Sequence, residues 1–264
     1  MTGLLVIDIG NTRISCGVYF QGEILLQKHF SRLTLKGLKD FLKGKEILGC
    51  VFASVVPKET EKLKKIWPKI SKSPLCRLNW EIVEKAVKNK IKVNGMTPGD
   101  DRAANAYLLC KRGAFPAVSV DAGTALTAEV LDKKGVFLGG LIAPGDSLQR
   151  MSLKIHTAQL KNLRREKTLK LIGDSSEAAI SAGIDGLLVL GLVSWLAKTE
   201  KEVLKEKFKA IVFTGGGAEP YYKEALKNFR AVLMDPAFTL KALGFSFYDE
   251  KVRKLYAKFQ NVKF

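Results

Sequence analysis

The chain has 264 residues, 47% of them hydrophobic and only 8 of them proline, and it carries 44 Lys and Arg against 26 Asp and Glu, a net charge of +18. That length and apolar content exclude a disordered or fibrous chain and suit one large domain or two modest ones. Cys16, Cys50, Cys76 and Cys110 form no Cys-x-x-Cys pair, and His29 and His156 have no partner at ligand spacing. A disulfide framework, a transition-metal centre and a Ser-His-Asp triad are therefore poor readings.

In chain order, residues 3–9 and 14–20 read as a strand pair around an Asp-x-Gly turn, and Gln21-Gly22 opens a hairpin into 23–30. A helix over 35–42 follows, then a buried strand, "ILGCVFASVV", and a lysine–glutamate helix opened by Pro57. The turn region "NGMTPGDDR" precedes the helix "AANAYLLCKRG", which closes on Gly113. After Pro116 the pattern restarts: a strand over 117–120, the turn Asp-Ala-Gly-Thr, and strands over 125–131 and 136–142. Helices are predicted near 146–151 and from Ser175 to about Lys198, then the strand "AIVFTGGG", the helix "PYYKEALKNF" and a strand–helix pair over 231–248. Each half begins with consecutive strands and continues with alternating helices and strands. The prediction is an internally duplicated α/β unit, residues 1–115 and 116–264, with a ligand cleft between two lobes.

The longest apolar run, 186–197, is bounded by Asp185 and Lys198 and is too short to span a bilayer. The N-terminal run contains Asp8 and has no basic flank, unlike a secretory signal, so no membrane partner and a cytoplasmic location are expected. Most lysines alternate with glutamates in helical segments such as "KETEKLKKIW" and "KTEKEVLKEKFK", the pattern of a solvated face. "KNLRREKTLK" (161–170) is more one-sided, but no aromatic residues interleave for base stacking, so nucleic acid is not an expected partner.

Three stretches carry chemistry. In "DIGNTRIS", Gly10 allows a tight turn and close approach of a phosphate to backbone N–H groups, Asn11, Thr12 and Ser15 offer further donors, and Asp8 suits a carboxylate near a nucleotide-borne Mg²⁺. "DAGTALT" repeats the arrangement with Asp121, Gly123, Thr124 and Thr127, and "TGGGAE" (214–219) forms a glycine ledge for a planar group. One Asp-x-Gly is weak evidence, but two in matching contexts with a Gly-Gly-Gly ledge carry more. Neither a G-x-x-x-x-G-K-[ST] loop nor a G-x-G-x-x-G turn after the first strand is present, so a nucleotide would be held by paired β-turns.

The two Asp-x-Gly turns resemble the phosphate loops of the acetate and sugar kinase, Hsp70 and actin superfamily. "GDDR" (99–102), "VDAGTALT", "LGGLIAPG" (138–145) and "TGGGAE", in this order, resemble type III pantothenate kinase, and "ASVVP" (53–57) and "DPAFTLKALG" (235–244) also fit. The resemblance implies two ribonuclease H-like (actin-like) lobes, the first with a phosphate turn and substrate motif, the second with a phosphate turn and an adenosine ledge. It implies ATP-dependent phosphorylation of pantothenate, the first step towards coenzyme A, by a homodimer. ATP would meet Asp8, Ile9, Gly10, Asn11, Thr12, Arg13, Ile14 and Ser15, then Gly123, Thr124, Gly215 and Gly216. Pantothenate would meet Gly99, Asp100, Asp101, Arg102 and Ser176, with Asp101 as general base and Arg102 on the substrate carboxylate. Asp8 would act through Mg²⁺, and Asp121 would hold a monovalent cation, K⁺ or NH₄⁺.

The residue types agree with these roles: an arginine fork suits a carboxylate, and a carboxylate can take an alcohol proton late in a loose phosphoryl transfer. The bland reading of Asp100, Asp101 and Arg102 is a capped helix start. The chain departs from the family at "GDSS" (173–176), where Ser176 stands for a threonine and Asp174 for a lysine, and in "VNGMTP", which lacks an upstream tyrosine. Two rival readings remain: another small-molecule kinase of the superfamily, which need not have the Asp101–Arg102 pair, and a non-catalytic transcriptional accessory protein of the same fold.

Overall fold

The computed structural model describes residues 2–87, 98–160 and 171–264. Strand β1 (Thr2–Ile9) is apolar at nearly every position because it lies inside a sheet: it pairs antiparallel with β2 (Ile14–Phe20) on one side and parallel with β4 (Glu46–Ser54) on the other. Strand β3 (Glu23–Phe30) extends β2 antiparallel, and the short β5 (Leu75–Arg77) extends β4, giving the order β3-β2-β1-β4-β5. Helices α1 (Leu35–Leu42) and α2 (Pro57–Ile66) follow β3 and β4, and α1 starts on Thr34, whose hydroxyl accepts from Gly37 N. Phe41, Leu42, Leu63 and Trp67 close a core over Leu5, Ile7, Cys16, Cys50 and Phe52.

Helix α3 (Trp80–Val87) precedes α4 (Asp100–Arg112), which begins three residues before the predicted start because Asp100 and Asp101 occupy its first turn, where the helix dipole favours acids. It ends on Gly113 at φ 73°, the left-handed cap.

The pattern repeats in β6 (Ala117–Ala122), β7 (Ala125–Leu131), β8 (Phe137–Pro144), β9 (Ala210–Thr214) and β10 (Val232–Met234). Their order is β10-β9-β6-β7-β8, which is the first sheet's order read from the other end, with β6 in the place of β1. Among the described residues the duplication is thus two five-stranded mixed sheets with helices, the α/β fold expected. Helices α5 (Asp146–His156), α6 (Ser176–Ser181), α7 (Leu187–Lys198) and α8 (Glu219–Asn228) accompany the second sheet, and Val189, Leu192 and Leu196 pack with Val118, Val120 and Phe213 in its core.

Turns of π-helix at Ala182–Gly186 and Thr199–Leu204 join α6 and α7 into one helix over Ser176–Leu204. By length and composition alone it could cross a membrane, but a protein's core helix passes the same test, and 44% of its most apolar window is buried within the protein.

The contacts divide the chain into Met1–Gly113 with Gly135–Leu138 and Ala237–Phe264, and Ala114–Lys134 with Gly139–Pro236. The expected second lobe, 116–264, is corrected at its end. Helix α9 (Phe238–Tyr248) is buried along most of its length and packs over β1, β2 and β4, where Gly244 has no room for a side chain beside the Tyr19 ring. Helix α10 (Glu250–Gln260) starts on Asp249, whose carboxylate accepts from Lys251 N and from Tyr107 Oη of α4.

Candidate functional site

The first Asp-x-Gly turn lies where β1 gives way to β2. Gly10 N donates to Arg13 O at 3.1 Å, closing the turn and leaving Asn11, Thr12 and Arg13 exposed, while Ile9 and Ile14 anchor it in the core. Strand register sets Asp8 opposite Ser15 and Ser15 opposite His29, so the three side chains stand in a row on one face. His29 Nδ1 lies 3.2 Å from Ser15 Oγ. Burial, then the charge of Arg13, pushes the imidazole below its usual range, so it is neutral at pH 7 and can hold the Ser15 hydroxyl. Neither ligand spacing nor a triad pattern in the sequence points to this partner. On the opposite face burial, reinforced by Asp8, pushes the Cys16 thiol up to about 12, which keeps thiolate chemistry away from the turn.

The end of β4 joins this turn to the "GDDR" motif. Ala53 sits opposite Asp8 and Ser54 opposite Ile9, and Ser54 N donates to Asp100 Oδ2 at 3.1 Å. Asp100 is 6% exposed and also accepts from Arg77 Nε at 2.7 Å. Burial raises its pKa against the opposing pull of Arg77. Asp100, expected among the residues that meet pantothenate, therefore faces inward, with its carboxylate held by Arg77 and Ser54 N. Asp101 and Arg102 are half-buried in the first turn of α4, with Arg102 N donating to Asp101 Oδ1 at 2.8 Å. A Cβ at Gly99 would fall 2.5 Å from that same oxygen and 2.9 Å from Val55 Cγ1, so only glycine leaves Asp101 this place.

In the second unit three loops converge on the end of β6. Gly123 N donates to Ala125 O at 3.0 Å, Gly145 N to Thr124 O at 2.9 Å and Gly217 N to Ala122 O at 2.9 Å. A Cβ on Gly215 would sit 2.4 Å from Asp121 Oδ1, and one on Gly145 would sit 2.4 Å from Gly123 O. Asp121 lies opposite Thr127 on β7 and Thr214 on β9, and Gly123 and Gly216 are exposed at the tips of their loops. The motifs "DAGT", "APG" and "TGGG", far apart in sequence, thus form one backbone-lined cradle around Asp121.

Ser176 is the exposed first residue of α6, and Ser175 caps that helix by accepting from Ala178 N at 3.1 Å. Arg150, buried and absent from the expected site, ties α5 to this helix: it donates to Asp146 Oδ1 and Asp185 Oδ2, both at 2.6 Å, and to Ser181 Oγ at 3.3 Å. The basic segment "KNLRREKTLK" and most of "VNGMTP", where the sequence departs from the family, lie outside the described residues.

Residues 4–197 match the sequence profile of type III pantothenate kinase. The chain is 30% identical over 262 residues to the type III pantothenate kinase of Finegoldia magna, covering 91% of this chain and 95% of that one. It is 32% identical over 251 residues to that of Pelagibacter ubique, covering 91% and 96%. Among solved structures it is similar to a Campylobacter jejuni protein assigned to the Baf family of transcriptional activators, with TM-score 0.57, 19% identity and coverage of 98% and 100%. It is also similar to a Sinorhizobium meliloti protein described as a 2-dehydro-3-deoxygalactonokinase, with TM-score 0.55, 11% identity and coverage of 99% and 98%. The structural likenesses speak to fold alone.

Proposed function

The chain belongs to the type III pantothenate kinase family, and from that premise we propose that it transfers the γ-phosphoryl group of ATP to the primary hydroxyl of pantothenate, the first step towards coenzyme A. The observation that carries this reading is the anchoring of the Asp101–Arg102 turn, through Asp100 and Ser54, to the strand end beside Asp8. The hydroxyl oxygen forms the new bond to γ-phosphorus, the bond from γ-phosphorus to the bridging oxygen breaks, and ADP leaves. Asp101 accepts the hydroxyl proton, and Arg102 and Ser176 hold the substrate. Little covalent work falls to the protein in such a transfer; position and charge dominate. Asp8 would hold the nucleotide's Mg²⁺, which would supply positive charge to the phosphates; the N–H groups and hydroxyls of 10–15 and 123–124 would bind ATP's phosphates, and Gly215 and Gly216 its adenosine.

Incubation with ATP, Mg²⁺, K⁺ and pantothenate, followed by mass analysis, tests the reading. Phosphopantothenate is expected. Recovery of unchanged pantothenate beside another phosphorylated acid or sugar would transfer the chain to a different substrate, and salt-sensitive DNA binding without ATP turnover would remove the enzyme reading.

The reading includes a monovalent cation at the second turn. Among the described residues no three His, Cys, Asp or Glu side chains gather as metal ligands, but Asp121 stands against Gly215, where a Cβ would fall 2.4 Å from its Oδ1. One carboxylate with nearby carbonyls suits K⁺ or NH₄⁺, which would supply positive charge beside the phosphates where no Walker lysine exists. Activity is expected to be low in Na⁺ alone and to rise with K⁺ or NH₄⁺ at matched ionic strength, and Asp121→Ala should abolish that response. Equal rates in Na⁺ and K⁺ would leave Asp121 a structural turn residue.

The reading includes a homodimer, supported by apolar residues that α5 and α7 leave exposed: Met151, Ile155, Leu187 and Leu190. Beside them is a cavity of about 640 Å³ lined by Leu148, Met151, Ile155, His156 and Ile184. Light scattering is expected to give about twice the mass of one chain, and Ile155→Glu with Leu187→Glu to give one. A monomeric parent protein would remove the dimer.

A further inference from the structure

We propose that Arg77 is a positioning residue for the candidate base Asp101, and that Gln260, the last residue of α10, holds Arg77 in place; the proposal rests on the kinase reading above. Strand β5 is an edge strand of only three residues, and Arg77 ends it. An edge presents unpaired backbone groups, and here Gln260 satisfies both groups of one residue. Arg77 N donates to Gln260 Oε1 at 2.8 Å, and Gln260 Nε2 donates to Arg77 O at 2.7 Å. The side-chain amide thus does what a neighbouring strand would do, and it fixes the backbone from which the Arg77 side chain departs.

That side chain reaches two further elements. Nε donates to Asp100 Oδ2 at 2.7 Å, and Nη2 donates to Ser54 O at 3.3 Å, while Ser54 N donates to the same Asp100 oxygen at 3.1 Å. Arg77 therefore closes a ring through the end of β4, the end of β5 and the first residue of α4. Asp101 is the next residue, pressed against Gly99 with no space for even a methyl group. A turn held this way cannot shift without breaking charged hydrogen bonds to a buried carboxylate, which are among the costlier contacts to lose. Reach matters because a base must lie within hydrogen-bond distance of the proton it removes. A lysine at 77 would keep the charge but lose the planar fork that bonds Asp100 and Ser54 together.

The test is a double-mutant cycle on the full chain, reading kcat with ATP and pantothenate and checking each variant's folding by thermal melting. Arg77→Met is expected to lower kcat by about 10–100-fold, the scale of a misplaced catalytic group. In an Asp101→Asn background the same substitution should change kcat by less than about two-fold, because the group it positions is gone. Gln260→Leu, which removes no charge, should show the same pattern at smaller size and decides the matter if Arg77→Met does not fold. A full effect of both substitutions in the Asp101→Asn background, or normal kcat in folded Arg77→Met, overturns the positioning role. A normal kcat in Asp101→Asn alone is a separate result: it removes the base, and the positioning role falls with it.

Discussion

Asp101→Asn is expected to lower kcat by about 10²–10⁴-fold, the usual effect of losing a general base, with a smaller change in the KM for pantothenate. The asparagine keeps the size of the side chain and can still accept from Arg102 N, as Asp101 Oδ1 does at 2.8 Å, so the start of α4 should survive. What it cannot do is take a proton from the attacking hydroxyl. Arg102→Ala is expected to act on the other parameter. Losing a charged hydrogen bond to a substrate carboxylate costs about 1.5–3 kcal/mol, or roughly ten- to a hundred-fold in affinity, felt equally in ground and transition states and so appearing mainly in KM. Steady-state kinetics of the two variants, with pantothenate and ATP varied separately, separate the roles. Near-normal values in both would return "GDDR" to a helix cap, with its acids serving only the dipole.

The elements legible in the sequence are those whose periodicity runs for two turns or more, or whose ends carry a distinctive residue. Strands β1, β2 and β7 show it, as do α1 and the Pro57 start of α2. Strand β5 escapes because three residues carry no period, and with it goes Arg77, whose partner Gln260 is 183 positions away. No local pattern announces such a pair. The row Asp8–Ser15–His29 escapes for a different reason. Counting back from the Gln21-Gly22 turn sets Lys28 opposite Ser15, but an irregularity between Val18 and Tyr19 shifts the register by one and brings His29 there instead. The C-terminal domain limit is not legible because α9 is apolar almost all round, a property that reveals burial but not which sheet buries it. The Asp-x-Gly turns and the glycine ledge were legible, since glycine there answers a backbone need that few residues meet, but the convergence of three loops on Asp121 is a fact of the fold.

That convergence makes the second large prediction. Gly145→Ala and Gly215→Ala are each expected to lower kcat/KM for ATP by more than about 10²-fold, on the scale at which small misplacements act, and to abolish the rise in melting temperature that ATP and Mg²⁺ produce in the parent. For Gly145 the added methyl would meet backbone, at 2.4 Å from Gly123 O and 2.7 Å from Thr124 O, so no side chain can swing aside and the turn itself must move. For Gly215 the same overlap falls 2.4 Å from Asp121 Oδ1 and 2.7 Å from Ala122 O, and the backbone adds strain because φ is +88°. Overpacking of this kind costs about 1–3 kcal/mol, and the easiest relief is displacement of the turn at Asp121–Thr124. Ligand stabilisation is a sensitive readout of that displacement, since a ligand at a hundred times its Kd stabilises by about 2.7 kcal/mol. Gly22→Ala separates strain from site damage. It sits in the β2–β3 hairpin at φ +94° with nothing within 4 Å, so it should lower the melting temperature while leaving the ATP response intact. If Gly145→Ala and Gly215→Ala keep the full ATP-dependent shift, the cradle around Asp121 is a structural joint between loops, and the nucleotide phosphates are held elsewhere.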